Sequence, residues 1–253
     1  MNIFNEFLYR PLFNLLVFLY NTIPCSDIGV AIIGVTAVVK LVFWPLTGKA
    51  VKSQKALQEI QPRIKEIQEK YKDNKEEQAK KLMEFYKENK VNPMSGCLPL
   101  LVQIPILIAL YQVFLKGFDP SSLSSLYSFV HNPGVINPMF FGLINLALPN
   151  KVFAILAGVS QFFQAKMTMP KNTKLPNAPK TSDEYMMRAI SKQTLYFLPV
   201  FTILISWNLP SGLALYWVVT TLFTLFQQYV IMRSAPMPLR LKLNRGKTWK
   251  IQR

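Results

Sequence analysis

Long apolar runs alternate with charged ones along this chain, at residues 28–47, 96–114, 152–165, 195–209 and 211–232. An α-helix rises about 1.5 Å per residue and the hydrocarbon core of a bilayer is about 30 Å thick, so roughly twenty apolar residues cross it. The first and last runs have that length, and the third and fourth are shorter. The pattern predicts an all-α polytopic membrane protein with five transmembrane helices, its short spans either thinning the surrounding bilayer or sinking into it from one side. Pro199 predicts a kink in the fourth span. Residues 11–23, PLFNLLVFLYNTI, are apolar but only thirteen long and are interrupted by Asn14. That length suits a helix lying in the membrane interface better than a sixth span.

Between residues 49 and 90 the period changes. Leu57, Ile60, Ile64, Ile67 and Tyr71 recur at helical spacing, followed by Ala79, Leu82 and Tyr86, which reads as the seam of two helices folded against each other. Asp73 and Asn74 supply the turn, and Pro62 marks a bend or a helix start. This helical hairpin is longer than joining two spans requires, so a solvated spacer is its plainer reading and a contact surface its sharper one. Gln61, Pro62, Tyr71 and Asp73 are its candidate contact residues. Pro120, Pro133, Pro138 and Pro149 argue against one long helix in residues 115–150.

Charge orients these elements. The chain carries 29 Lys and Arg against 13 Asp and Glu. Residues 49–90 hold twelve of the positive charges, 166–192 six and 233–253 seven, whereas 1–27 and 115–150 hold only Arg10 and Lys116. Positive-inside bias therefore places the N-terminus outside and the C-terminus in the cytoplasm of a multi-pass protein. The resulting organisation is an extracytosolic segment, 1–27, with the interfacial helix, then a five-helix core, 28–232, and a basic cytoplasmic tail, 233–253. Within the core lie the cytoplasmic hairpin 49–90, an extracytosolic loop 115–150 and a cytoplasmic loop 166–192. Cys25 and Cys97 fall on opposite faces and His131 is the one histidine, so neither a disulfide between them nor a metal site is expected. The basic n-region of a removable signal peptide is missing. No Gly-rich phosphate loop and no Ser/His/Asp set is visible, and the reading is a non-enzyme without cofactors.

One charge falls inside a span. Lys40 stands alone in the twenty residues from 28 to 47, where a central lysine costs roughly 2.5–3.5 kcal/mol. In a straight helix it lies about 10 Å from the cytoplasmic end, farther than a lysine stem reaches, so a wet cavity is expected around it. Thr36 sits one turn away. Gln103 interrupts the second span, and Gln161 and Gln164 share nearly one face of the third; interhelical hydrogen bonds are an equal alternative for each. In the tail, Arg240, Lys242, Arg245, Lys247, Lys250 and Arg253 suit anionic lipid, at about 1 kcal/mol per charge. They equally suit RNA phosphates with Trp249 stacking, and composition does not separate the two.

The strings VVKLVFWPLT, QPRIKEIQEKYKDNKEE, YKENKVNPMSGCLPLLVQIPILIALYQ, FFQAKM and WNLPSGLALYW resemble the YidC/Oxa/Alb membrane protein insertase family in order and spacing. The resemblance implies five core helices, an extracytosolic N-terminus, a cytoplasmic helical hairpin and a polar groove open to cytoplasm and lipid. It implies that Lys40, where the family usually has arginine, faces that groove with Gln164 and Trp217 as neighbours. It further implies passage of nascent membrane proteins into a bacterial inner membrane without nucleotide hydrolysis, with the ribosome, anionic lipids and the Sec translocon as candidate partners. The rival reading of the residues is a small transporter or channel using Lys40 as a substrate or counter-ion site.

Overall fold

The computed structural model describes residues 3–89, 91–92, 98–116, 120–168 and 195–234. Residues 93–97 with Cys97, most of the loop 166–192 and all six basic tail residues from Arg240 to Arg253 lie outside these. Among the described residues eight α-helices follow in chain order: α1 (Arg10–Thr22), α2 (Ile28–Val42), α3 (Trp44–Lys70), α4 (Lys75–Glu88), α5 (Leu98–Lys116), α6 (Lys151–Thr168), α7 (Leu195–Ser206) and α8 (Ser211–Ser234). A π-helical turn (Asn5–Tyr9) leads into α1, and a two-stranded antiparallel hairpin, β1 (Met139–Phe140) and β2 (Ile144–Asn145), stands between α5 and α6. The molecule is helical, as its periodicity predicts.

The first predicted span is not one straight helix. It breaks at Phe43, and α3 leaves α2 at 67°. Pro45 explains the break, because in a continuous helix its missing N–H would leave the Leu41 carbonyl without a partner. Instead the Phe43 N–H closes a tight turn onto the Leu41 and Val39 carbonyls, and Pro45 enters the first turn of a new helix, where no donor is needed. The helical hairpin thus starts at Trp44, ahead of residue 49. Pro62 neither starts nor ends a helix but lies inside α3.

Among the described residues, the segment Ser211–Arg233 of α8 is long and apolar enough to cross a membrane by itself, and α2 with α3 passes only as a bent pair. α8 is the post of the bundle, packing against α2, α3, α5 and α6. The apolar core gathers Phe13, Leu16 and Val17 of α1, Ile28, Ile32 and Val35 of α2, Leu110, Val113 and Phe114 of α5, and Leu213 and Tyr216 of α8. α1 is therefore packed against the bundle rather than standing free. Its buried Asn14 is satisfied by the Arg10 and Ser125 carbonyls and the Tyr127 N–H.

The ends of three helices are closed by the segment between α5 and α6. Asp27 caps α2 by accepting the Val30 N–H at 2.9 Å, and its other carboxylate oxygen accepts the Phe141 N–H at 2.5 Å. The first N–H groups of α8, at Ser211 and Gly212, donate to the Leu148 and Leu146 carbonyls. Asn150 caps α6 through the Val152 N–H. Donors that a helix start leaves unpaired are thereby satisfied within the fold.

In the helical hairpin, Ile60 and Ile64 of α3 are buried against Val91, with Leu57, Leu82, Phe85 and Tyr86 packed around them. Ala79 departs from the predicted seam and is exposed. Gln78 takes its place, buried, with its amide donating to the Gln68 carbonyl at 2.6 Å. Asn74 caps α4 through the Glu77 N–H, which makes it the turn residue with a measurable role.

Candidate functional site

Lys40 lies in the last turn of α2, two residues before the helix ends. The straight helix assumed in placing Lys40 about 10 Å from its end is thus corrected, because the break at Phe43 ends α2 within a turn of Lys40. Unpaired carbonyls at a helix C-terminus carry partial negative charge and favour a cation there, so part of the cost of Lys40 is offset locally. Its ammonium nevertheless crosses to α8, donating to Thr224 Oγ1 at 3.1 Å, while Thr224 Oγ1 donates to the Thr220 carbonyl at 2.8 Å.

The surroundings of this pair change character along the helices. In α2 the buried residues are apolar from Ile28 to Val35 and polar at Thr36; in α8, after Ser211 at its start, they are apolar from Leu213 to Val219, polar at Thr220, Thr221, Gln227 and Gln228, and apolar again at Ile231. Both helices start at the same end, so the two changes fall at one level. Gln227 clasps the elbow, donating to the Trp44 carbonyl at 3.0 Å and to Thr47 Oγ1 at 2.9 Å. Gln228 Oε1 is buried without a partner among the described residues, an arrangement that costs about 1–3 kcal/mol.

The other candidates form separate pairs. Gln103 donates to the Tyr216 hydroxyl, joining α5 to α8. Gln161 accepts from the Thr202 hydroxyl, joining α6 to α7. Both are interhelical hydrogen bonds. Thr36 is fully buried and donates back to the Ile32 carbonyl of its own helix at 2.7 Å. Gln164 is half-buried one turn beyond Gln161, and Trp217 is half-buried on α8, its carbonyl accepting the Thr221 hydroxyl. In the helical hairpin, Gln61, Pro62 and Tyr71 are half-buried and Asp73 is exposed in the turn.

Two fastenings were not foreseen. Lys55 Nζ donates to the Met232 carbonyl in the last turn of α8 at 3.0 Å, and the Gln58 amide donates to the Thr168 carbonyl that ends α6. They tie α3 to the C-terminal ends of two bundle helices. Thr224 and Gln227 also went unnoticed, although the stretch TTLFTLFQQ spaces its polar residues at three and four, the spacing of one helix face.

Exposed apolar surface surrounds the polar pairs. Leu41 and Val42 of α2, Val152, Ile155 and Phe163 of α6, Leu204 of α7, and Leu222, Phe226 and Tyr229 of α8 are exposed. Large apolar patches of this kind do not stay in water.

The family model described as 60Kd inner membrane protein matches residues 18–238. Proteins described as membrane protein insertase YidC from Francisella tularensis subsp. novicida (strain U112) and Francisella tularensis subsp. tularensis (strain SCHU S4 / Schu 4) are 38% identical to it over 205 residues. The match takes in 81% of this chain and 32% of theirs, so the chain spans about a third of the length of these relatives. Because the matched residues run from α1 through the end of α8 and include Lys40 with Thr224, the chain belongs to the 60Kd inner membrane protein family, the YidC/Oxa/Alb insertases.

Proposed function

We propose that this chain is a membrane protein insertase of the bacterial inner membrane, with its N-terminus outside and its C-terminus in the cytoplasm. It passes hydrophobic segments of nascent proteins into the bilayer through a polar groove, open to lipid and cytoplasm, in which Lys40 is the fixed charge. The observation that carries the reading is the Lys40–Thr224 bond, placed where the contact between α2 and α8 turns from apolar to polar.

A polar flank crossing lipid unaided loses its hydrogen bonds to water, at several kcal/mol per unsatisfied group. A polar half-bundle shortens the dry path. The buried apolar stretch of α2, Ile28–Val35, spans about 12 Å at helical rise, against about 30 Å of ordinary hydrocarbon core. The polar flank of the substrate rests beside Lys40, whose charge favours an acidic residue there. The apolar segment then moves sideways past the exposed faces of α6 and α8 into lipid. Its own burial drives the step at about 25 cal/mol per Å², so nucleotide hydrolysis is unnecessary. The helical hairpin and the basic tail receive the nascent chain, with the ribosome, anionic lipid and the Sec translocon as partners.

Reconstitution tests this. Purified protein in vesicles promotes insertion of a short-tailed single-span protein without ATP, and entrapped solute stays inside. Solute flux without insertion would instead establish a transporter.

A further inference from the structure

The segment between α5 and α6 ends in a feature the insertion path does not use. Residues 132–150 contain no charged side chain in a chain with 29 Lys and Arg. At the tip of the β-hairpin, Phe141 and Gly142 both have positive φ, 48° and 68°. For a bulky residue such as Phe141 the left-handed conformation is strained. The tip is nonetheless firmly held. Asp27 accepts the Phe141 N–H, and the Phe140 ring lies so close over Gly29 that a Cβ there would meet it at 2.0 Å. A strained turn, tied down from beneath, presents Phe141 (68% exposed) and Leu143 (82% exposed) outward.

We infer that the Phe141–Gly142–Leu143 tip is an anchor seated in the lipid headgroup–acyl boundary of the leaflet that surrounds the N-terminal ends of α6 and α8. Three observations select lipid as its occupant. The tip is continuous with lipid-directed surface, because Phe140 contacts Phe153 with ring centroids 6.3 Å apart and the exposed face of α6 begins beside it at Val152. Two residues before Phe153, at the start of α6, Lys151 holds its ammonium 5.3 Å from the centre of the Trp207 ring, a tryptophan–cation pair suited to the membrane interface. The tip's composition, apolar with glycine and no charge, matches a segment that dips into that interface and does not cross it. The anchor fixes the height of the bundle through Asp27, whose carboxylate ties the tip to the start of α2, the helix that carries Lys40.

Spin-label accessibility tests the inference. Leu143→Cys is introduced into the full chain with Cys25→Ser and Cys97→Ser, labelled with a nitroxide and reconstituted in phosphatidylethanolamine–phosphatidylglycerol vesicles. Asn132→Cys, in the same segment, is the aqueous control, and Leu222→Cys, midway along α8, is the bilayer control. The Leu143 label collides several-fold more with oxygen than with a water-soluble nickel chelate, at a depth of about 5–10 Å below the headgroup boundary, while the Asn132 label shows the reverse. A Leu143 label as open to nickel as Asn132 would overturn the anchor. Exclusion of both reagents at Leu143 would also overturn it, because the tip would then be covered by protein, a second copy included. If Leu222 too is open to nickel, the membrane-spanning reading of the bundle fails with it, so the two failures are distinguishable.

Discussion

At the scale of single residues, Lys40 is held by two things of different origin: the carbonyl-rich end of α2 and the hydroxyl of Thr224 on another helix. The first survives any cationic replacement, and the second depends on reach. Lys40→Arg therefore retains most insertion activity, since arginine keeps the charge and adds donors. Lys40→Glu places an anion against the negative end of the helix and loses activity, most for substrates with acidic flanks, as a protease-protection assay of inserted product measures. Equal activity of all three forms would remove Lys40 from the path. Thr224→Val removes the acceptor of Lys40 together with the hydroxyl's own bond to the Thr220 carbonyl, lowering thermal stability in detergent by about 1–2 kcal/mol. The lysine was conspicuous in the sequence because a charge in an apolar run has no local explanation. Its partner was not, because Thr224 is 184 residues away and a threonine in a span ordinarily bonds its own helix, as Thr36 does here.

Among the elements, close contacts decide more than hydropathy does. α6 and α7 approach so tightly that a Cβ at Gly158 would lie 2.4 Å from Ile203 Cγ1 and 2.8 Å from the Pro199 carbonyl oxygen. Backbone cannot step aside as a side chain can, so Gly158→Leu separates the two helices and breaks the Gln161–Thr202 hydrogen bond with them. An unfolding midpoint lowered by several degrees, matching a loss of about 1–3 kcal/mol, is the expected result. The elbow is a second such place. Gln227→Leu releases the Trp44 carbonyl and the Thr47 hydroxyl, and distance distributions between spin labels on α3 and α8 broaden as α3 loosens. The apolar windows marked where most helices lie, and α6, α7 and α8 follow them closely. The elbow is not legible in hydropathy, which is blind to direction: residues 28–47 carry no charge besides Lys40 on either side of Phe43, and the signal is Pro45, whose place in a helix is the first turn. Ala79 was misplaced for a related reason, since Gln78 fills the seam with an amide that hydropathy counts as polar although its hydrogen bond to the Gln68 carbonyl lets it be buried.

For the whole molecule, the polar half of the α2–α8 contact, where Thr36, Thr220, Thr221, Gln227 and Gln228 are buried and which is the inner half in the proposed orientation, sets stability against function. Buried polar groups such as Gln228 Oε1, without a partner among the described residues, weaken the packing between helices. A protein selected only to be stable would fill that half with leucine and valine. Replacing Thr220 by Val and Gln228 by Leu leaves Lys40, Thr224 and the elbow bonds in place while drying the inner half. The double variant unfolds at a higher temperature than the parent, by an amount matching about 1–3 kcal/mol, because the orphaned amide oxygen is gone and apolar contact replaces it. Its insertion activity falls, and falls further for each charged residue added to the flank the substrate must carry across, because the dry path has lengthened from about 12 Å by roughly another two turns of helix. Both readouts are needed: a variant that is merely misfolded loses stability and activity together, whereas this one gains the first while losing the second. Full activity for substrates with charged flanks, in a protein so stabilised, would mean that substrates take another route and that the polar inner half serves helix packing alone.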